Sequence, residues 1–158
     1  MKKYFWILIF GLAGCNMSKK MNMKTAAECY AIRLKPGEDL RASIQQFVIA
    51  KNIRAGWIGT CAGSLTQYNI RFANQQNGSS GTGHFEIVSL TGTLSVNGSH
   101  IHISVSDSTG RTIGGHLLEG CSIYTTAEII ICESKGLIFK RAKDGTTPWE
   151  ELQIEKAK

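Results

Sequence analysis

The sequence predicts an α+β domain in which an antiparallel sheet packs on a single helix. Two patterns carry this prediction. One amphipathic stretch of helical period lies near the start, and a succession of alternating or β-branched runs follows it, separated by short glycine- and asparagine-bearing turns. Size is the third observation: 158 residues, 42% of them hydrophobic, are material for one core.

Residues 1–14 read as an export signal. Lys2 and Lys3 precede an apolar run from Tyr4 to Phe10, and small residues lead to Cys15. An apolar stretch of about ten residues is too short to cross a bilayer as a helix and has the length of a signal-peptide core. The string LAGC at 12–15 resembles the bacterial lipoprotein signal. That resemblance implies lipid on Cys15, a tether over 15–26 and a place in the cell envelope. The alternative is a start at Met21 or Met23 and a cytoplasmic product.

Beyond the tether, AECYAIRL (27–34) alternates and ends at Pro36-Gly37, a strand followed by a turn. Asp39 is placed to cap a helix whose buried face is Leu40, Ile44, Phe47 and Val48, running to about Asn52. Strands are expected over 53–60, 64–73, 84–90, 92–96, 100–106, 121–133 and 136–142, antiparallel because their connections are short. The polar, glycine-rich segment 74–83 reads as a mobile loop. Asn97-Gly98 reads as a two-residue hairpin turn, which would set Val96 opposite Ser99, Ser95 opposite His100, Leu94 opposite Ile101 and Thr93 opposite His102.

With Cys15 lipidated, four cysteines remain: Cys29, Cys61, Cys121 and Cys132. Each lies in or beside an apolar or glycine-bearing stretch, so the expectation is four reduced core thiols. No CxxC spacing points to a redox motif or a zinc ribbon. Without the leader lysines, 16 basic residues face 12 acidic ones, scattered along the chain rather than gathered in a stripe. Charge alone therefore gives no case for nucleic acid.

The chemistry-bearing pattern is histidine. His100 and His102 stand two apart on one strand and project from one face about 7 Å apart at the backbone, close enough for two imidazoles to share an ion. Gly114-Gly115 would return His116 to them. Three neutral imidazoles with an open fourth position suit zinc, with Ser104, Asp107 or water supplying outer contacts. The alternative is a hydrogen-bonded cluster in which the imidazoles bond to Ser95, Thr93 or backbone. Glu86, Asp107, Glu119 and Glu128 are the candidate acids and bases of a metal-dependent hydrolase. No GxSxG elbow, HExxH helix or phosphate-binding loop is present, so the enzyme reading rests on the histidines. Arg33, Arg54, Arg71, Arg111 and the cluster Lys140, Arg141 and Lys143 are candidate anion contacts or a solvated face. Trp57, Phe72, Phe85 and Phe139 read as core, and Trp149 as a tail residue packing on the domain or on a neighbouring subunit.

Six strings occur in order: PGEDL (36–40), GSL (63–65), GHFEIVSLTGTL (83–94), HIHISVSDSTG (100–110), GGHLLEG (114–120) and TTAEIII (125–131). Together they resemble the plants and prokaryotes conserved domain over roughly 27–143, leaving 144–158 as a tail. The resemblance implies a sheet wrapped with helix and a homotrimer joined through sheet edges. Plant members bind DNA through Arg-Gly-Arg-Pro hooks, which this chain lacks. In those members the string matching GHFEIV contacts partner proteins. That role carries over to Gly83, Phe85, Glu86 and Ile87, with His84 standing where arginine is usual. Prokaryotic members imply a metal at His100, His102 and His116. The expected function is a trimeric, membrane-anchored binding module; the alternatives are a cytosolic DNA-associated regulator and a metal-dependent hydrolase.

Overall fold

A computed structural model describes residues 25–158. The leader, Cys15 and most of the tether lie outside the described residues. β1 (Glu28–Leu34) leads through the Pro36-Gly37 turn to α1 (Leu40–Ala50), followed by β2 (Gly56–Arg71), β3 (Ser79–Leu94), β4 (His100–Ser106), β5 (Thr112–Leu117), β6 (Ser122–Glu133), β7 (Leu137–Ala142) and β8 (Glu151–Lys156). β1 to β6 form one antiparallel sheet in the order β1-β6-β2-β3-β4-β5. The far end of β2 also pairs with β5, Ile70 opposite Leu117 and Arg71 opposite His116. β2, β3, β4 and β5 thus close on themselves, while β7 and β8 make a separate hairpin.

Asp39 caps the helix as expected. Its Oδ1 accepts from the Ala42 amide at 2.8 Å, and its Oδ2 accepts from the Gly120 and Cys121 amides at 2.7 and 3.0 Å. One carboxylate therefore fixes the start of α1 and ties it to the β5–β6 turn; the cap alone contributes about 1 kcal/mol. Leu40, Ile44 and Val48 are fully buried, and Phe47 sits half-buried, edge-on to Tyr30 at 5.4 Å between ring centroids. They meet the inward residues of the sheet, among them Leu65, Ile70, Leu94, Ile101, Ile103, Leu117 and Ile129, in one core. Each fully buried aliphatic side chain there contributes about 1.5–3 kcal/mol.

Five expectations are corrected. The hairpin at Asn97-Gly98 is wider than two residues: Thr93 faces His100 and Thr91 faces His102, two positions from the expected register. The reason is Ser95, whose Oγ lies 3.0 Å from both Arg54 O and Phe139 O and accepts from the Asn97 amide, drawing the chain out of the ladder. A shift of two keeps every side chain on its face. Segment 74–83 is loop only in its first half. Ser79 to Thr82 extend β3 along Ile70 to Gln67, and Gly81 leaves room for the Tyr68 ring, which a Cβ there would meet at 2.6 Å. Two pairs of expected strands are single strands, β2 and β3, because glycines inside them serve close strand approach. At Gly92 a Cβ would stand 2.2 Å from His100 O.

Gly114-Gly115 lies inside β5, which runs beside β4 and brings His116 opposite His102. A Cβ at Gly115 would lie 2.6 Å from Arg71 O, so glycine is what lets β2 close on β5. The reversal happens earlier, at Asp107, whose side chain accepts from the Thr109 and Arg111 amides. β8, within the segment read as a tail, pairs along β7 from Leu137–Lys156 to Ala142–Glu151.

The fifth correction is Cys29–Cys132, a disulfide rather than two free thiols. The antiparallel register of β1 and β6 sets the two residues directly opposite, with Cα atoms 4.0 Å apart. Reading each cysteine by its own neighbours could not reveal a pairing made by strands 103 residues apart. Cys61 and Cys121 are free, and burial pushes both thiols up to about 11.

Candidate metal centre

The three histidines meet on the outer face of the closed part of the sheet. His102 on β4 is directly opposite His116 on β5, and His116 is opposite Arg71 on β2. Thr91, His102, His116 and Arg71 therefore form one cross-strand row, and His100 stands two positions along β4 on the same face. Ring centroids are 4.8 Å apart for His100–His102, 5.0 Å for His100–His116 and 5.7 Å for His102–His116. One nitrogen from each ring lies within 4.8 Å of the other two.

This arrangement fits a metal. Nitrogens at about 2.1 Å from a tetrahedral ion stand about 3.4 Å apart. His100 Nε2 and His102 Nε2 are 3.1 Å apart, with neither bonded to a carboxylate. His116 Nδ1 is buried and has no hydrogen-bond partner among the described residues. Buried polar atoms are ordinarily satisfied, so this one marks a missing partner. Of the partners expected for a hydrogen-bonded cluster, Ser95 is engaged with Arg54 and Phe139 main chain, while His100 and His102 are within hydrogen-bond distance of each other.

Electrostatics keep two of these rings neutral. Burial first, then the neighbouring His100, Arg71, His102 and Arg41, lowers His116 to about 4. His100 is lowered chiefly by burial, with His102 and Arg141 adding to it. Neutral imidazole is the form that ligates metal.

The rest of the site comes from elements that the sequence alone did not bring together. The β7–β8 hairpin docks through Phe139, whose amide donates to Arg54 O and whose carbonyl accepts from Asn97 Nδ2. This docking carries Arg141 over the cluster, its Nη2 3.4 Å from His100 Nδ1, with the side-chain stem against Gly98. A cleft of about 750 Å³ lies between sheet and hairpin, lined by His100, His116, Arg71, Arg141, Trp149 and Glu151 among others. The bulky Trp149 remains 62% exposed, with its ring 5.9 Å from the Arg71 guanidinium. The charge cluster at 140–143 and Trp149 were the available signals, but nothing in their spacing tied them to the histidines.

Other candidates fall elsewhere. None of Glu86, Asp107, Glu119 and Glu128 lines the cleft. The Asp107 carboxyl is held below its usual range by the Thr109 hydroxyl and amide and serves its own turn. Glu128 lines a groove beside β1. Gly83, Phe85, Glu86 and Ile87 do not form one outward surface. Ile87 is in the core and Phe85 packs edge-on to Tyr68 at 5.0 Å, whereas the exposed residues of the stretch are Gly83, His84, Glu86 and Val88. His84 stacks on Tyr124 at 4.4 Å.

Fold and site together define a small antiparallel-sheet domain bearing an open three-imidazole cluster. Residues 21–135 match the model of the Plants and Prokaryotes Conserved (PCC) domain, and the chain belongs to that family. It is 42% identical over 127 residues to the bifunctional protein GlmU of Synechococcus sp. (strain JA-3-3Ab), covering 80% of this chain and 20% of that protein. The chain thus spans about a fifth of the length of the curated relatives it matches. A hypothetical protein from Salmonella cholerae-suis superposes with a TM-score of 0.83 at 40% identity, covering 85% of this chain and 97% of that one. A protein from Archaeoglobus fulgidus, described as metal-containing, shares the fold with a TM-score of 0.71 at 24% identity, covering 85% and 99%.

Proposed function

We propose that the chain is a metal-binding module in which His100, His102 and His116 hold a divalent ion, zinc fitting the all-nitrogen donor set. The observation that carries this reading is the convergence of three imidazoles with a buried His116 Nδ1 that lacks a partner. A bound ion would act as a Lewis acid at its open position. The chain's own residues hold His100 and His116 neutral, and both of these rings line the cleft below β7 and β8. Glu151 lines the cleft with His100 but is bonded to the Thr147 hydroxyl, and the reading assigns binding and no reaction. A protein of the same fold described as metal-containing supports it.

Elemental analysis of the full chain after dialysis tests this, comparing wild type with His100→Ala and His116→Ala. About one metal per chain is expected in the wild type and little in either variant. A wild-type protein without metal, even after zinc is offered, would leave only a cluster of uncoordinated rings.

The same proposal has the module working as a homotrimer anchored in the cell envelope through lipid on Cys15, rather than as a DNA-associated cytosolic protein. It rests on the family's resemblance and on the LAGC string. Light scattering that gives a monomer would remove the trimer, and failure of Cys15 to take up labelled lipid precursor in cells would remove the anchor.

A further inference from the structure

We infer that the position left open by the three imidazoles receives a small organic carboxylate, clamped between Arg71 and Arg141. This inference rests on the metal reading above and goes beyond it to the ligand. Register places Arg71 opposite His116, and hairpin docking places Arg141 beside His100. Neither guanidinium has a carboxylate within 4.0 Å among the described residues. Arg71 Nη1 donates to Gln75 O at 3.3 Å, and Arg141 Nη2 is shared between Glu150 O and His100 Nδ1. Each guanidinium carries five N–H donors in a planar fork that matches a carboxylate, so both retain donors for a ligand.

Charge gives the same answer from another side. A divalent ion on neutral imidazoles would stand beside Arg71 and Arg141, with Arg41 also acting on His116. Like charges at such range repel unless an anion joins them. Metal and anion therefore bind cooperatively, each tightening the other.

The cleft selects the kind of anion. Arg71, Arg141 and Lys143 line it together with Glu150 and Glu151, so most of the positive charge that would hold an anion comes from the ion and the two arginines beside it, and the choice among anions falls to the cleft's shape and apolar wall. The Glu151 carboxylate is engaged by the Thr147 hydroxyl at 2.6 Å. Pro148 and Trp149 supply an apolar wall for a carbon chain, and the Trp149 ring over Arg71 steadies that guanidinium by cation–π attraction.

The test uses the full chain loaded with cobalt(II), whose visible absorption reports the coordination sphere. Butyrate is expected to change the spectrum saturably, and its dissociation constant is expected to rise at least about tenfold in Arg141→Gln and in Arg71→Gln, as loss of a charged hydrogen-bond pair implies. Cobalt content should stay at the wild-type level in both variants, and Arg141→Lys should recover part of the affinity. A cobalt-loaded protein whose spectrum ignores butyrate, or answers inorganic phosphate instead, overturns the inference and leaves the metal reading standing. Equal butyrate affinity in wild type and both glutamine variants overturns it as well. A chain that takes up no cobalt removes the metal reading and this inference with it.

Discussion

Reduction of the Cys29–Cys132 disulfide is expected to lower the stability of the domain by about 2–4 kcal/mol, the usual range for a bridge that closes a long loop. The two cysteines are 103 residues apart, so in the unfolded chain the bridge restrains most of the domain. In the folded chain it holds β1, an edge strand whose only neighbour in the sheet order is β6. Urea denaturation with and without reductant measures the effect. The wild-type midpoint should fall on reduction, and Cys29→Ser should sit at the reduced value under both conditions. Cys29 is the better position to change because it is exposed, whereas Cys132 is buried and a serine there would strand a hydroxyl. Equal wild-type midpoints in both conditions would show that the bridge contributes nothing. Such bonds persist in oxidising compartments. Finding the pair reduced in protein taken directly from cells would therefore favour the start at Met21 or Met23 over the exported form.

The second large effect is acid sensitivity with and without metal. His116 titrates at about 4 when folded against about 6.5 when unfolded, and His100 is shifted in the same direction. Between those limits the unfolded chain binds more protons than the folded one, so stability is complete above about pH 6.5 and declines as pH falls toward 4. Because His116 is only half-buried, solvent screening reduces its share to about 1–2 kcal/mol. Zinc at a hundred times its dissociation constant adds about 2.7 kcal/mol. Thermal melts from pH 7.5 to 4.5 should show the apo protein weakening below pH 6.5. The zinc-dependent increment should persist through pH 6 and collapse nearer pH 4–5 as protons displace metal. His116→Asn should flatten the apo slope and abolish the increment. An increment that disappears at pH 6.5 would mean that the rings titrate as free imidazoles and that the cluster is not desolvated.

How much of this was legible in the sequence follows from the range of each determinant. The helix was legible because its signals are local: Asp39 as cap, then Leu40, Ile44 and Val48 at helical spacing. His100 and His102 were legible because strand geometry alone puts them on one face. The approach of His116 was foreseen for an incomplete reason. The glycines at 114–115 permit the β2–β5 contact that fixes His116 beside Arg71. What stayed hidden was long-range pairing. Cys29 meets Cys132, and Arg141 meets His100, through strand register and hairpin docking, and neither leaves a local signature. Burial along the expected partner segment was hidden for a related reason. Its residues alternate along β3, so Gly83 and Glu86 are exposed while Phe85 is partly buried and Ile87 lies in the core.

The hairpin of β7 and β8 lies beyond residues 21–135, which define the family match, yet it forms one wall of the cleft. Its seat is largely main chain: the Phe139 amide and carbonyl meet Arg54 O, Ser95 Oγ and Asn97 Nδ2. A mounting that barely reads side chains tolerates new ones. The imidazoles behave as a fixed anvil, and the hairpin as a jaw whose residues 143 and 149 line the cleft without taking part in its main-chain seat. Divergence in what such domains grip would then accumulate on the jaw, while the anvil stays the same.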